Sequence, residues 1–478
     1  MSNLIIWNTI HQPASHQRVS RPSGPHLLAQ WLIHFGFTVK VIDFCSSMST
    51  NDLVSITRKH IDSTTVAIGV SSTFWDDNAQ FSGKKSINSL AVSFRVHAVD
   101  SPNWVIKART HVESAFPKLD WILGGANSDA PLTETWIRFH QNPEDQLRKY
   151  LDEKLSLNRI HVPFNILTTT GTYMDGLGIQ SSEVLGFEWG RGCQFKCSFC
   201  RYKLIGKKKN TYLRSPDIIR QDLILNYEKY GTTRYIYVDD TTNESFEKIE
   251  SMAAVAQSMP FEIEWVGYGR LDLIGSNKST MSTLRESGLR SMYFGIESFN
   301  REASKSVGKG WNGVHGMEFL LELKHHWGDE INFLTSFIVG LNPETIEELD
   351  ETLNWCIQNK IASWQFTPLS VSSILTLNAS EFDKNCTKYG YSFPDPNRPN
   401  YWVNDKWNTS LASAKAAELN NSFQHTSPAA FFLASVAGIT GESLKEVMNK
   451  KHDMNQLFIR SEQVINDYVK YQLTLPDK

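Results

Sequence analysis

The chain has 478 residues, 41% of them hydrophobic and 21% charged, with a net charge of −3. The length suggests roughly three domains, and the composition is that of an ordinary globular protein, not a disordered or fibrous one. A near-neutral balance offers no bulk attraction to nucleic acid or acidic membrane, and no apolar run is long enough to span a bilayer.

The first residues, MSNLIIWN, lack the basic flank and long apolar run of a signal peptide. Of six cysteines, Cys193, Cys197 and Cys200 are clustered, whereas Cys45, Cys356 and Cys386 are scattered. That is a poor disulfide framework, and clustering of this kind reads as metal or redox chemistry in a reducing compartment. The expected location is therefore cytoplasmic, away from membranes.

In chain order, Leu4 to Trp7 reads as a strand, followed by a Pro/Ser-rich loop and a helix with Leu28, Trp31, Leu32 and Phe35 at helical spacing. Thr38 to Phe44, Val66 to Val70 and Trp121 to Leu123 read as further strands, with a helix over Asn51 to His60. Strands alternating with helices predict a parallel, doubly wound, Rossmann-like layer over residues 1–155. Ligands bind such sheets off the carboxyl ends of the strands. Here those ends carry Ser71, Ser72 and Thr73 and the pair Gly124-Gly125.

Residues 156–184 show no period and read as a linker. From Leu185 the strand–helix alternation resumes over residues 185–375. Six strands are expected, beginning near Leu185, Tyr235, Ile263, Ser291, Phe333 and Ser363. Parallel strands in this number suggest a partial barrel, whose active site gathers at the strands' carboxyl ends. Those ends carry the cysteines, Asp239-Asp240, Arg270, Glu297-Ser298 and Gly340, where a packed core would prefer apolar side chains.

The loop after the first barrel strand reads EWGRGCQFKCSFCRY, a C-x3-C-x2-C spacing. Soft thiolates select an iron–sulfur cluster, zinc or Cu(I). A closed zinc site wants four ligands, and no second cysteine pair or histidine pair follows. Three cysteines without a fourth suit a [4Fe–4S] cluster with one iron open.

With Phe199 before the last cysteine, this loop closely resembles the signature of the radical S-adenosylmethionine (SAM) superfamily. GYGRLDLI, FGIES, SVGKG and FIVGLNPET also match, although Asn342-Pro343 departs from the usual turn. The resemblance implies a (β/α)6 partial TIM barrel in which Cys193, Cys197 and Cys200 bind a [4Fe–4S] cluster. It places SAM on the open iron, near Phe199, Asp240, Arg270, Glu297 and Gly340. The implied chemistry is reductive cleavage of SAM to a 5′-deoxyadenosyl radical that takes hydrogen from a substrate carbon. A carrier such as flavodoxin or ferredoxin would supply the electron.

The N-terminal layer resembles the cobalamin (B12)-binding-like domain found ahead of many such barrels. That resemblance implies cobalamin as an optional third cofactor, at Ser71, Ser72, Thr73, Gly124 and Gly125, with methyl transfer as its use. The D-x-H-x-x-G motif is absent, so no histidine can be named as lower ligand. The alternatives left open are a methylthiotransferase-like enzyme, which would want more N-terminal cysteines, and a non-catalytic iron–sulfur or zinc protein. Residues 376–478 read as a small, mainly helical domain closing the barrel's open side, and nothing there names the substrate.

Overall fold

The computed structural model describes residues 2–9, 20–71, 104–124, 135–139, 143–202, 206–208, 210–309, 313–375, 379–421 and 430–476. Ser72, Thr73 and Gly125 lie outside them.

The N-terminal layer is a five-stranded parallel sheet in the order β2-β1-β3-β4-β5. Its strands are β1 (Leu4–Trp7), β2 (Val39–Ile42), β3 (Ala67–Ser71), β4 (Asp120–Gly124) and β5 (Ile137–Phe139). Helices cover both faces. Ala29, Trp31, Leu147 and Leu151 pack on one side; Leu53, Ile56, Val105 and Val112 pack on the other. Parallel strands need that double cover, which is why they read as continuous apolar runs. The three-residue β5 has no run to read and was not expected.

The second sheet has six parallel strands in chain order: β6 (Leu185–Phe187), β7 (Arg234–Tyr237), β8 (Glu264–Gly269), β9 (Leu289–Glu297), β10 (Asn332–Val339) and β11 (Ser363–Pro368). It is the expected open half-barrel. The helices between strands pack outside it through Ile219, Leu223, Met252, Leu284, Leu320 and Leu349. The helix Pro216–Tyr230 begins and ends as its sequence dictates. The Ser215 side chain accepts from the Ile218 amide, Pro216 takes the first turn, and Gly231 closes it at φ 69°.

The C-terminal residues are helical as expected, and their helices complete the cores of the two layers. Along β11 runs Thr409–Asn421, whose Asn420 side chain accepts from the Phe366 amide (2.9 Å) and donates to its carbonyl (2.8 Å). A single amide side chain thus stands in for the missing neighbour of an edge strand. Ala430–Thr440 lies in the concave face, packing Leu433, Val436 and Ala437 against Ile236 and Val266, with Tyr268 and Tyr293 at the margin. Met454–Thr474 reaches back to the N-terminal layer, where Ile465, Tyr468 and Val469 join its core.

The layers are tied by buried charge. Arg21 pairs with Asp43 at 2.7 Å and with Glu183 at 2.7 Å. The linker has no regular structure, yet it is packed: Tyr173 is fully buried and its hydroxyl donates to the carbonyls of Arg21 and Gly186, both at 3.0 Å. Among the described residues, no helix is long and apolar enough to cross a membrane.

Candidate functional site

The cysteine loop leaves β6 and is pinned on both flanks. The Trp189 amide donates to Asp239 at 2.9 Å, at the end of β7. On the other flank the Lys207 amide donates to the Cys193 carbonyl and the Gly206 amide to the Phe195 carbonyl, each at 3.0 Å. Gly192 turns the chain at φ 139°, in the region that favours glycine. All three cysteines then line one open cavity of about 200 Å³.

Around that cavity the structure gathers Phe199, Asp240, Arg270 and Glu297 with the three cysteines. These are expected residues drawn from four strand ends. Gly340 is not among them. A Cβ there would lie 2.6 Å from the Trp402 ring and 3.2 Å from Ala412. Its missing side chain admits an indole from the C-terminal segment, which gives the glycine a packing role. Ser71 and Gly124 sit side by side at the ends of β3 and β4.

The charges at the mouth are shaped by burial. Asp240 is open to the cavity but walled by protein and close to Asp239 and Glu188. Its carboxyl is pushed up to about 7, with a hydrogen bond from Tyr202 opposing the rise. Beneath it Lys248 is fully buried, bridging Asp239 at 2.9 Å and Glu244 at 2.8 Å. Glu297 is buried and raised for that reason, while Lys309, 3.4 Å away, pulls it down. It adopts φ 70°, where β9 slips register against β10. Strain and bulges of this kind gather at functional sites, because a bulge re-aims a side chain. Burial also raises the Cys193 thiol and pushes Cys200 up to about 11. A metal must displace those protons to bind.

Several lining residues were not singled out from sequence: Phe195, Tyr202, Thr241, Tyr268 and Tyr293. Tyr268 could have been found, since it sits two residues before Arg270 at a strand end. Tyr293 could not, because only the pairing register places it opposite Tyr268.

The donor set fits an iron–sulfur cubane. Three thiols share the cavity, and none of the other three cysteines lines it, which leaves one corner for an exogenous ligand. The N-terminal layer approaches the same loop: Arg191, two residues before Cys193, pairs at 2.8 Å with Glu144 in the first turn of the helix after β5.

A half-barrel with a three-cysteine loop after its first strand defines a class of cofactor-binding domain. The family model of the radical SAM superfamily matches residues 187–356. An uncharacterized methyltransferase of Pyrococcus horikoshii is 28% identical over 177 residues, 37% of this chain and 37% of that protein. An anaerobic magnesium-protoporphyrin IX monomethyl ester cyclase of Cereibacter sphaeroides is 28% identical over 200 residues, 37% of this chain and 30% of that one. The chain thus spans about a third of the length of these curated relatives.

Among solved structures, the radical SAM methyltransferase TsrM from Kitasatospora setae superposes with a TM-score of 0.55 at 14% identity, over 77% of this chain and 73% of its own. The cobalamin-dependent radical enzyme OxsB, with aqua-cobalamin and SAM bound, gives 0.54 at 14% identity, over 74% of this chain and 52% of its own. At such identities the likeness is one of fold.

Proposed function

We propose that this protein is a radical SAM enzyme, with Cys193, Cys197 and Cys200 as ligands to a [4Fe–4S] cluster and SAM on the open iron. A reduced cluster held there would supply the one electron for cleavage of SAM's S–C5′ bond, giving methionine and a 5′-deoxyadenosyl radical able to take hydrogen from a substrate carbon. The observation that carries the reading is the convergence of three thiols, Phe199, Asp240, Arg270 and Glu297 on one cavity.

In this reading Phe199 lies along the adenine. Glu297 and Asp240 accept from the amino and ribose groups of SAM. Arg270 lends a remaining N–H to the carboxylate, and the barrel walls exclude water. The electron comes from a small one-electron carrier such as flavodoxin or ferredoxin. The functional units are residues 1–155, 185–375 and 376–478, with 156–184 as connection.

The N-terminal layer is proposed to hold cobalamin opposite the cluster, at Ser71, Ser72, Thr73, Gly124 and Gly125, for methyl transfer to the substrate. The Arg191–Glu144 pair supports this placement, since it brings the carboxyl edge of that sheet to the cysteine loop. So does the likeness in fold to OxsB, a cobalamin-dependent radical enzyme. Anaerobic reconstitution followed by a SAM-cleavage assay tests the enzyme. The expected result is four irons per chain and 5′-deoxyadenosine; absence of both overturns it. Retention of hydroxocobalamin through desalting tests the first layer, and loss of the corrin leaves that layer a scaffold.

A further inference from the structure

Arg270 is buried at the cavity wall, 5% exposed. Its backbone is clamped on both sides by the buried Asn243, whose side chain accepts from the Arg270 amide and donates to its carbonyl, both at 2.8 Å. The guanidinium is just as constrained. One edge is held by Asp272, with Nε to Oδ1 at 3.0 Å and Nη2 to Oδ2 at 2.6 Å. One face lies over the Phe195 ring at 4.1 Å. The remaining edge points Nη1 at the Cys197 sulfur, 3.4 Å away. Three of five N–H groups are thereby engaged before any ligand arrives, so the sequence-level role at the SAM carboxylate accounts for only part of this side chain.

We propose that Arg270 is a positioning residue for Cys197, and that the Arg270–Asp272 pair sets the reduction potential of the cluster. The inference rests on the cluster assignment above. Reduction adds one negative charge to a cluster whose ligands are already anionic. A cation and an N–H donor at a ligand sulfur stabilise that added charge and raise the potential. In a desolvated wall their effect is larger than in water. Asp272 works against Arg270: it orients the guanidinium and partly cancels its charge. Removing each member of the pair should therefore move the potential in opposite directions, which a purely structural role for the pair would not do.

The test is an EPR-monitored redox titration of the reconstituted full-length protein without SAM, alongside iron and sulfide content. Arg270→Met is expected to shift the midpoint to lower potential and Asp272→Asn to higher. Arg270→Lys, which keeps the charge but loses the fork, should fall between Met and the wild type. Shifts of the same sign in Arg270→Met and Asp272→Asn, or no shift in either, overturn the inference. If Arg270→Met fails to hold a cluster, Arg270→Lys and Asp272→Asn decide alone, and identical potentials in those two refute it. A wild type that binds no iron overturns the cluster reading beneath, an outcome that the iron assay separates from a null titration.

Discussion

Replacing Arg21 with methionine removes the cation that joins the two layers while keeping most of its volume. In the wild type its guanidinium is 1% exposed and serves Asp43 (0% exposed) and Glu183 (5%) at once. It also lies 4.8 Å from the Phe44 ring and 4.9 Å from Tyr468. Breaking a buried pair costs about 3–5 kcal/mol, because the partner charge stays buried and unpaired. Asp43 would keep His26 at 2.9 Å and Asn8 at 2.7 Å, and Glu183 would keep the Gln180 amide at 3.0 Å. Those bonds hold the loss to about 3–4 kcal/mol, or a fall in Tm of roughly 3–4 °C for a chain of this length melting as one unit.

The control is Arg220→Met, whose pair with Asp217 is half-exposed on one side and 89% exposed on the other; it should cost about 0.5 kcal/mol or less. Calorimetry or denaturant melts measure both. Equal losses in the two variants would refute the reasoning. The pH dependence adds a second constraint. Burial alone would raise the Asp43 carboxyl, but pairing with His26 and then Arg21 outweighs it and holds the group well below its ordinary value. A depressed carboxyl contributes stability above its unfolded pKa of about 3.9, and that contribution is lost as pH falls toward the folded value. Without Arg21, Asp43 takes its proton at higher pH. The stability gap between wild type and Arg21→Met should therefore narrow below about pH 4.

Cys197→Ala should abolish both iron loading and 5′-deoxyadenosine, whereas Cys356→Ala, fully buried in the barrel core, should keep the cluster and lose only stability; iron analysis of both variants checks this. Gly340→Ala drives a Cβ into the Trp402 ring at a backbone φ of 104°. Overpacking of this kind costs about 1–3 kcal/mol before backbone strain is added, and a melt unchanged from wild type would contradict the assigned packing role. Asn420→Ala leaves the amide and carbonyl of Phe366 without their partner. The expected loss is about 2 kcal/mol, and amide exchange at Phe366 should quicken; unchanged protection there would argue against the edge role.

How much was legible before the fold was seen follows from where each signal sits along the chain. The cysteine loop is eight residues of contiguous chemistry, so its ligand set could be read without any tertiary contact. Asp240, Arg270 and Glu297 were legible for a related reason: each interrupts an apolar run at its carboxyl end, and a parallel barrel brings such ends together. Gly340 carried the same signature, but its neighbour Trp402 comes from a distant segment that no local pattern links to it. Tyr293 lies mid-strand, and its exposure to the cavity depends on register with β8. The helix Ala430–Thr440 was visible as a helix, yet being apolar on most sides it gave no hint of which layer it would enter. Asn420 is one polar residue among many on its helix, and its value depends entirely on an unpaired strand edge beside it.

That helix in the concave face has a consequence for how the protein is made. The barrel strands are synthesised first and can pair as they emerge, but Ile236 and Val266 lack the cover of Leu433, Val436 and Ala437 until those have been translated. Until then a nascent half-barrel presents an apolar inner wall, the kind of surface that makes folding intermediates prone to association. The inner wall before and after the helix Ala430–Thr440 arrives is thus two different surfaces, one apolar and open, the other packed.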